Sequence, residues 1–213
     1  MSEGARHLYI KEQIMRALIH HSEVTDLKPE RHFGTVQADI SFCLRHRQVA
    51  IEIQQSDVSW MNIVERTRHY HTLGIHVLWV LTSNSPLRKG LHASVPMWQR
   101  CLHALYFGVV YYWIREQLLL PIHLIRSVNP RRQSYDFQEG RWHSPFYEHQ
   151  RTPWLLEPVQ ITELLPTMRS AGVYGDYTLP AASLLNLPYE ILQEAREEAE
   201  HYLDFTRTHG FWL

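Results

Sequence analysis

The stretch "IHVLWVL", Ile75 to Leu81, is almost wholly apolar. A strand sends alternate side chains to opposite faces, so a run of this kind has to be covered on both. That requirement points to a sheet packed between helices, with this strand near its centre. The preceding residues supply the rest of the unit. From about Trp60 to Thr72, the residues Trp60, Ile63, Val64, Thr67 and Tyr70 fall on one side of a helix. Ser56 or Ser59 can cap its start, and Gly74 can end it. A helix crossing from the strand at Val49 to the strand at Ile75 sets the two parallel.

The strand before that helix, in "VAIEIQQSDVSW" (Val49 to Trp60), alternates. Val49, Ile51 and Ile53 take one face, while Ala50, Glu52 and Gln54 take the other. Upstream, "RHFGTVQADISFCL" alternates likewise, with Val36, Ala38, Ile40 and Phe42 against Gln37, Asp39 and Ser41. The short "RHRQ", Arg45 to Gln48, reads as the hairpin turn between the two strands. Residues 5 to 21 form a predicted helix with apolar positions Leu8, Met15, Leu18 and Ile19, a stripe that Glu12 shares. Further on, Met97 to Phe107 reads as a helix, and "VVYYWI" with "LLLPIHLI" as a hairpin around Arg115–Gln117. Residues 129 to 160 read as loop, and Pro188 to Phe205 as a terminal helix.

Paired strands would bring Asp39 beside Glu52 and Gln54, with Glu12 approaching from the first helix. Three carboxylates at a sheet edge repel one another unless a cation sits between them. Hard divalent ions with oxygen ligands suit such a cluster, and Mg²⁺ typically takes one or two carboxylates, waters and a substrate phosphate. An ion so held can acidify bound water and stabilise charge on a phosphodiester, which is the chemistry of hydrolytic nucleases.

These residues carry a family resemblance. The order Asp39, then Glu52-Ile53-Gln54 after a short turn, then helix and apolar strand, resembles the PD-(D/E)XK nuclease superfamily. More closely, "ADISF", "VAIEIQQSDVSW" and "ERTRHYHTLGIHVLWVL" are similar to the nuclease domain of the competence protein CoiA family, as are "WQRCLHALYFGVVYYW" and "LLLPIHLI". The resemblance covers roughly residues 7 to 125 and divides the chain into a nuclease-like domain (1–125) and a C-terminal extension (126–213) packed on it. It implies a restriction-endonuclease-like α/β fold with a mixed sheet flanked by helices. It also implies Asp39 and Glu52 as metal-binding acids, Glu12 as the acid many relatives carry on the first helix, and Mg²⁺ or Mn²⁺ as cofactor. Gln54 stands where the wider superfamily has a lysine. A glutamine can orient a water but cannot bring a positive charge to the transition state. Lys11, Arg66 and Arg68 are the candidates to supply that charge and to contact nucleic acid.

The expected function is therefore metal-dependent hydrolysis of nucleic acid, most simply DNA, during uptake, recombination or defence. A module that keeps the fold and binds nucleic acid or a protein without cleaving is the rival. A third reading is an interaction subunit that forms a homodimer through the C-terminal helix. Plainer accounts stand beside each residue. Glu52 and Gln54 fit a solvated strand face, Asp39 fits an edge-protecting charge, and Glu12 fits a surface ion pair. The fifteen histidines invite a zinc reading, but His69 and His71, two apart on a helix, point different ways, and His76 adds no acid at ligand spacing. Tyr111, Tyr112 and Trp113 could stack on bases, although alternation makes at least one of them core. A formal charge of −1 argues against strong non-specific attraction to nucleic acid, though not against a local basic groove. Two cysteines, no apolar signal core and no run of about 18 apolar residues fit a soluble cytoplasmic protein without a membrane span.

Overall fold

In the computed structural model of the chain, the described residues are 3–82, 93–106, 108–126, 134–136, 141–143, 150–164, 168–170 and 178–180. The elements run α1 (Glu3–Leu18), β1 (Val24–Phe33), β2 (Val36–Leu44), β3 (Arg47–Gln54), α2 (Trp60–Thr72) and β4 (His76–Leu81). There follow β5 (Ala93–Ser94), α3 (Met97–Leu105), β6 (Val110–Arg115), β7 (Leu118–Arg126), β8 (Ser134–Asp136) and β9 (Arg141–His143). The last are β10 (Gln150–Leu155), β11 (Val159–Gln160), α4 (Ile161–Leu164), β12 (Met168–Ser170) and β13 (Thr178–Pro180).

Nine strands make one mixed sheet in the order β1-β2-β3-β4-β6-β7-β10-β5, with β11 also on β7. The apolar β4 lies in its interior, parallel to β3 on one side and to β6 on the other. Val77 to Leu81 are all buried, as a strand covered on both faces requires. The parallel register pairs Ala50 with Val77 and Glu52 with Trp79. Helix α2 makes the crossover and stops at Gly74, whose φ of +69° would strain any side chain and whose N–H returns to the His71 carbonyl. Ser59 holds the N-cap position, without a side-chain cap bond. Beyond β4 in the sheet, β6 and β7 form the expected hairpin.

The β2–β3 hairpin turns at Arg45 and His46, with φ of +47° and +70°. Both central residues are left-handed, as in the tight two-residue turns that asparagine and glycine usually occupy.

Three expectations need correction. Strand β1 was not legible, because "VTDLKPERHF" does not alternate. It is an irregular edge strand with a register shift between Thr25 and Lys28, positive φ at Asp26 and Glu30, and Pro29 where an edge tolerates it. Residues 129 to 160 are not all loop, since β10 and β11 extend the main sheet through β7. Pro153 concealed β10. Because β5 pairs only with Gln150 and Arg151, one side of β10 is open at Pro153 among the described residues.

The third correction is the phase of α1. Ile10, Ile14 and Leu18 are fully buried, whereas Leu8 and Ile19 are 51% and 67% exposed. Leu18 of the expected stripe is buried and Met15 packs against the core, but the buried line Ile10, Ile14 and Leu18 is centred about 100° around the helix from the expected one. Glu12 therefore lies on the outer side. The terminal helix expected at Pro188 to Phe205 falls outside the described residues.

Candidate active site

Strands β2 and β3 part company beyond the pair Ile40–Ile51, and continuing that register sets Asp39 opposite Glu52. At this fork a side chain takes over from the ladder. Asp39 Oδ2 accepts the backbone N–H of Ile53 at 2.7 Å. Its other oxygen, Oδ1, lies 2.8 Å from His7 Nε2 on α1. The side chains of His7 and Asp39 are 29% and 21% exposed, so the pair sits at the rim of the fork. The bond to Asp39 raises the His7 pKa, against the lowering effect of burial.

Glu52 is only 5% exposed, which excludes a solvated strand face. Helix α2 covers it. Arg66 Nη2 and the Tyr70 hydroxyl both donate to Glu52 Oε1 at 2.5 Å. The second oxygen, Oε2, receives no hydrogen bond from the described residues. Burial pushes the Glu52 carboxyl up to about 7, opposed by Arg66 and Tyr70 and reinforced by Asp39. The Tyr70 phenol is held up by its own burial and by Glu52. For Arg66, burial pulls downward but Glu52 prevails, and the guanidinium is raised. Arg66 is also fixed by donating to the Gln37 carbonyl at 2.9 Å and by lying over the Trp79 ring, 6.0 Å from its centroid. Trp79 in turn donates to Thr67 Oγ1 at 3.0 Å, which ties β4 to α2 directly behind the glutamate.

The remaining expected residues divide. Lys11 lies on the inner side of α1, one turn after His7. It is 6% exposed, with Nζ 2.5 Å from Glu30 Oε1 on β1. Gln54, half-buried at the end of β3, donates through Nε2 to the Ser56 carbonyl at 2.6 Å. Arg68 is half-buried on another side of α2 from Arg66. Glu12 is not brought to the fork; its side chain is 51% exposed and pairs with Arg16 at 3.8 Å. That is the direct result of the helix phase.

Sequence reasoning missed His7, Tyr70 and Glu30 as members of this group. Tyr70 was readable in part, since a tyrosine on an apolar helix face needs a buried partner for its hydroxyl. His7 and Lys11, four apart, become visible together once the inner face of α1 is set by Ile10 and Ile14.

The donor chemistry suits a hard divalent cation. Continued register sets Asp39 opposite Glu52, and among the described residues nothing hydrogen-bonds the second oxygen of Glu52. Among the described residues no three His, Cys, Asp or Glu side chains already converge as a metal site. Two carboxylates are nevertheless enough for an ion that completes its shell with waters and substrate phosphate. The histidines considered for zinc do not assemble; His69 instead meets the Phe33 carbonyl at 2.7 Å. Tyr111 is fully buried, which makes it core rather than a base-stacking platform.

No helix among the described residues is long and apolar enough to cross a membrane. Neither the curated proteins nor the solved structures include a match to the chain. The family described as "Competence protein CoiA, nuclease-like domain" matches residues 3–145, a span that holds α1, the forked hairpin, α2, β4 and the β6–β7 hairpin. With two thirds of its length in that match and the site geometry within it, the chain belongs to the competence protein CoiA family through its nuclease-like domain.

Proposed function

We propose that the protein is a divalent-metal-dependent nuclease of the PD-(D/E)XK type, acting on DNA in the cytoplasm during uptake, recombination or defence. The observation that carries this reading is the opposition of Asp39 and Glu52 at the β2–β3 fork. Both carboxylates are directed by the fold, Asp39 by the Ile53 N–H on Oδ2 and His7 on Oδ1, and Glu52 by Arg66 and Tyr70 on Oε1. Mg²⁺ or Mn²⁺ between them would acidify a bound water and offset the charge that grows on a phosphodiester.

The chain's own residues then divide the work. Arg66 and Tyr70 position Glu52. Gln54, anchored by its amide nitrogen on Ser56, offers its carbonyl oxygen to a water. Lys11 is the best candidate for the missing lysine charge. Its partner Glu30 has a 61% exposed side chain, so a substrate phosphate can compete for the ammonium. Arg66 is less suited to that task because Glu52 already engages it.

Gln54 also supports a second reading, a catalytically silent module that binds nucleic acid, because no cation stands at its position. One assay separates the two. Wild-type protein and Asp39→Asn are incubated with Mg²⁺ or Mn²⁺ and single-stranded, double-stranded and branched DNA and RNA. Asparagine keeps an oxygen for the Ile53 N–H, so the fold is retained while the charge is lost. The nuclease reading expects metal-dependent cleavage by the wild type alone. Binding without turnover on every substrate favours the silent module, and equal cleavage by Asp39→Asn removes Asp39 from the chemistry.

A further inference from the structure

We infer that His7 is a direct ligand of the divalent ion, and that the resulting nitrogen–oxygen donor pair makes the site prefer Mn²⁺ over Mg²⁺. This rests on the reading above that the fork holds a divalent ion at all.

Two side chains 32 residues apart in sequence meet at the rim of the fork, His7 Nε2 and Asp39 Oδ1, at 2.8 Å. They differ from the other polar contacts around them. Glu52 is tied down by two donors beneath α2, and Lys11 has Glu30. His7 and Asp39 have each other, and both remain partly open to solvent. Asp39 Oδ2 is committed to the Ile53 N–H, which leaves Oδ1 as its ligating oxygen, and Oδ1 is the atom the imidazole touches. An ion bound by that oxygen would therefore arrive beside Nε2.

The position expected for a third ligand on α1 points the same way. Glu12 faces solvent and pairs with Arg16, whereas His7 lies on the inner side of the same helix. Replacing a carboxylate by an imidazole changes the ion. Carboxylates and water suit Mg²⁺ and Mn²⁺ alike, but an imidazole nitrogen suits the softer transition ions, and Mg²⁺ holds its waters tightly against nitrogen donors. An all-oxygen site would be indifferent or favour the more abundant Mg²⁺. A site with His7 in it is biased to Mn²⁺.

The test reads metal binding in the full chain without nucleic acid. Mn²⁺ and Mg²⁺ affinities are measured by titration calorimetry for wild type, His7→Ala, His7→Gln and, as a surface control, Glu12→Ala. Spin-echo spectra of bound Mn²⁺ report whether an imidazole nitrogen is coordinated. Circular dichroism identifies any variant that fails to fold, and His7→Gln, which keeps a donor toward Asp39, is the variant expected to survive. The inference expects tighter Mn²⁺ than Mg²⁺ binding by the wild type and an imidazole modulation in its spectrum. Loss of the modulation and at least about a tenfold loss of Mn²⁺ affinity should follow in His7→Gln, with no change in Glu12→Ala. Wild-type Mn²⁺ binding without the nitrogen signal, or undiminished binding by His7→Gln, overturns the ligand role and leaves His7 as an ion-pair partner of Asp39, while the nuclease reading stands. If the wild type binds neither ion, the metal site itself is refuted, and His7 with it.

Discussion

Glu52→Gln should make the metal-free protein more stable, by an amount that grows as pH rises above about 4.5 and is complete only above about 7. The glutamate is 5% exposed, and burial raises its carboxyl from 4.5 to about 7 in the fold. Below the unfolded value both states hold the proton, and the residue contributes no pH dependence. As pH rises through the interval, the unfolded chain loses its proton first and gains relative to the fold. Above about 7 both are ionised, and the folded state carries the full cost of a buried charge, about 3 kcal/mol. Glutamine is neutral throughout and retains an oxygen to accept from Arg66 and Tyr70, which both donate to Oε1. Its advantage over the wild type should thus be near zero around pH 4.5 and grow to about 3 kcal/mol by about pH 8. Urea unfolding of both proteins across that range, in the presence of a chelator, reads the difference directly. The opposing term is the attraction of Arg66 for an ionised Glu52. A glutamine variant that is equal or weaker at about pH 8 would mean that this attraction outweighs burial, and the reasoning fails.

Tyr70→Phe removes one of the two donors to Glu52 from a fully buried position and should cost about 1–2 kcal/mol in the same unfolding assay; no loss would make the hydroxyl idle. It should also move the Glu52 carboxyl further upward, visible as a later pH onset of metal binding. Gln54→Ala should lower turnover by roughly ten- to a thousandfold with ion affinity little changed, and wild-type turnover would leave Gln54 as a strand-end residue. His46→Gly, at a φ of +70°, should raise stability by about 1 kcal/mol by relieving left-handed strain in the hairpin turn, measured as a shift in the urea midpoint.

The helix–hairpin–helix–strand order was legible because each piece has a physical signature at short range. Ile75–Leu81 announces cover on both faces, and the alternation at Val36–Phe42 and Val49–Ile53 fixes which side chains share a face. From this followed the opposition of Asp39 and Glu52, which the register of β2 and β3 gives when continued one pair past Ile40–Ile51. What escaped depended on choices that local pattern leaves degenerate. Helix α1 carries two apolar stripes that share Leu18, and selecting the wrong one put Glu12 at the fork in place of His7. Strands β1 and β10 contain Pro29 and Pro153, which argue against strand at short range and are tolerated only because of where each strand lies in the sheet. The burial of Glu52 was also invisible, because a strand face with one acid and one amide looks the same beneath water as beneath a helix.

The bond from Ile53 N–H to Asp39 Oδ2 has a consequence for how this site can change over time. One carboxylate serves both as a candidate ligand and as the link that joins two strands where their own ladder ends. Any replacement lacking an acceptor leaves a backbone donor of β3 orphaned, a penalty of about 1–3 kcal/mol on top of whatever chemistry is lost. Drift away from activity is therefore asymmetric. At position 52 a neutral residue can settle in and even relieve the fold, so a lineage released from selection for cleavage should lose its glutamate early. At position 39 the strand fork itself resists the change. Aspartate or asparagine should persist there long after function has gone, as an architectural remnant.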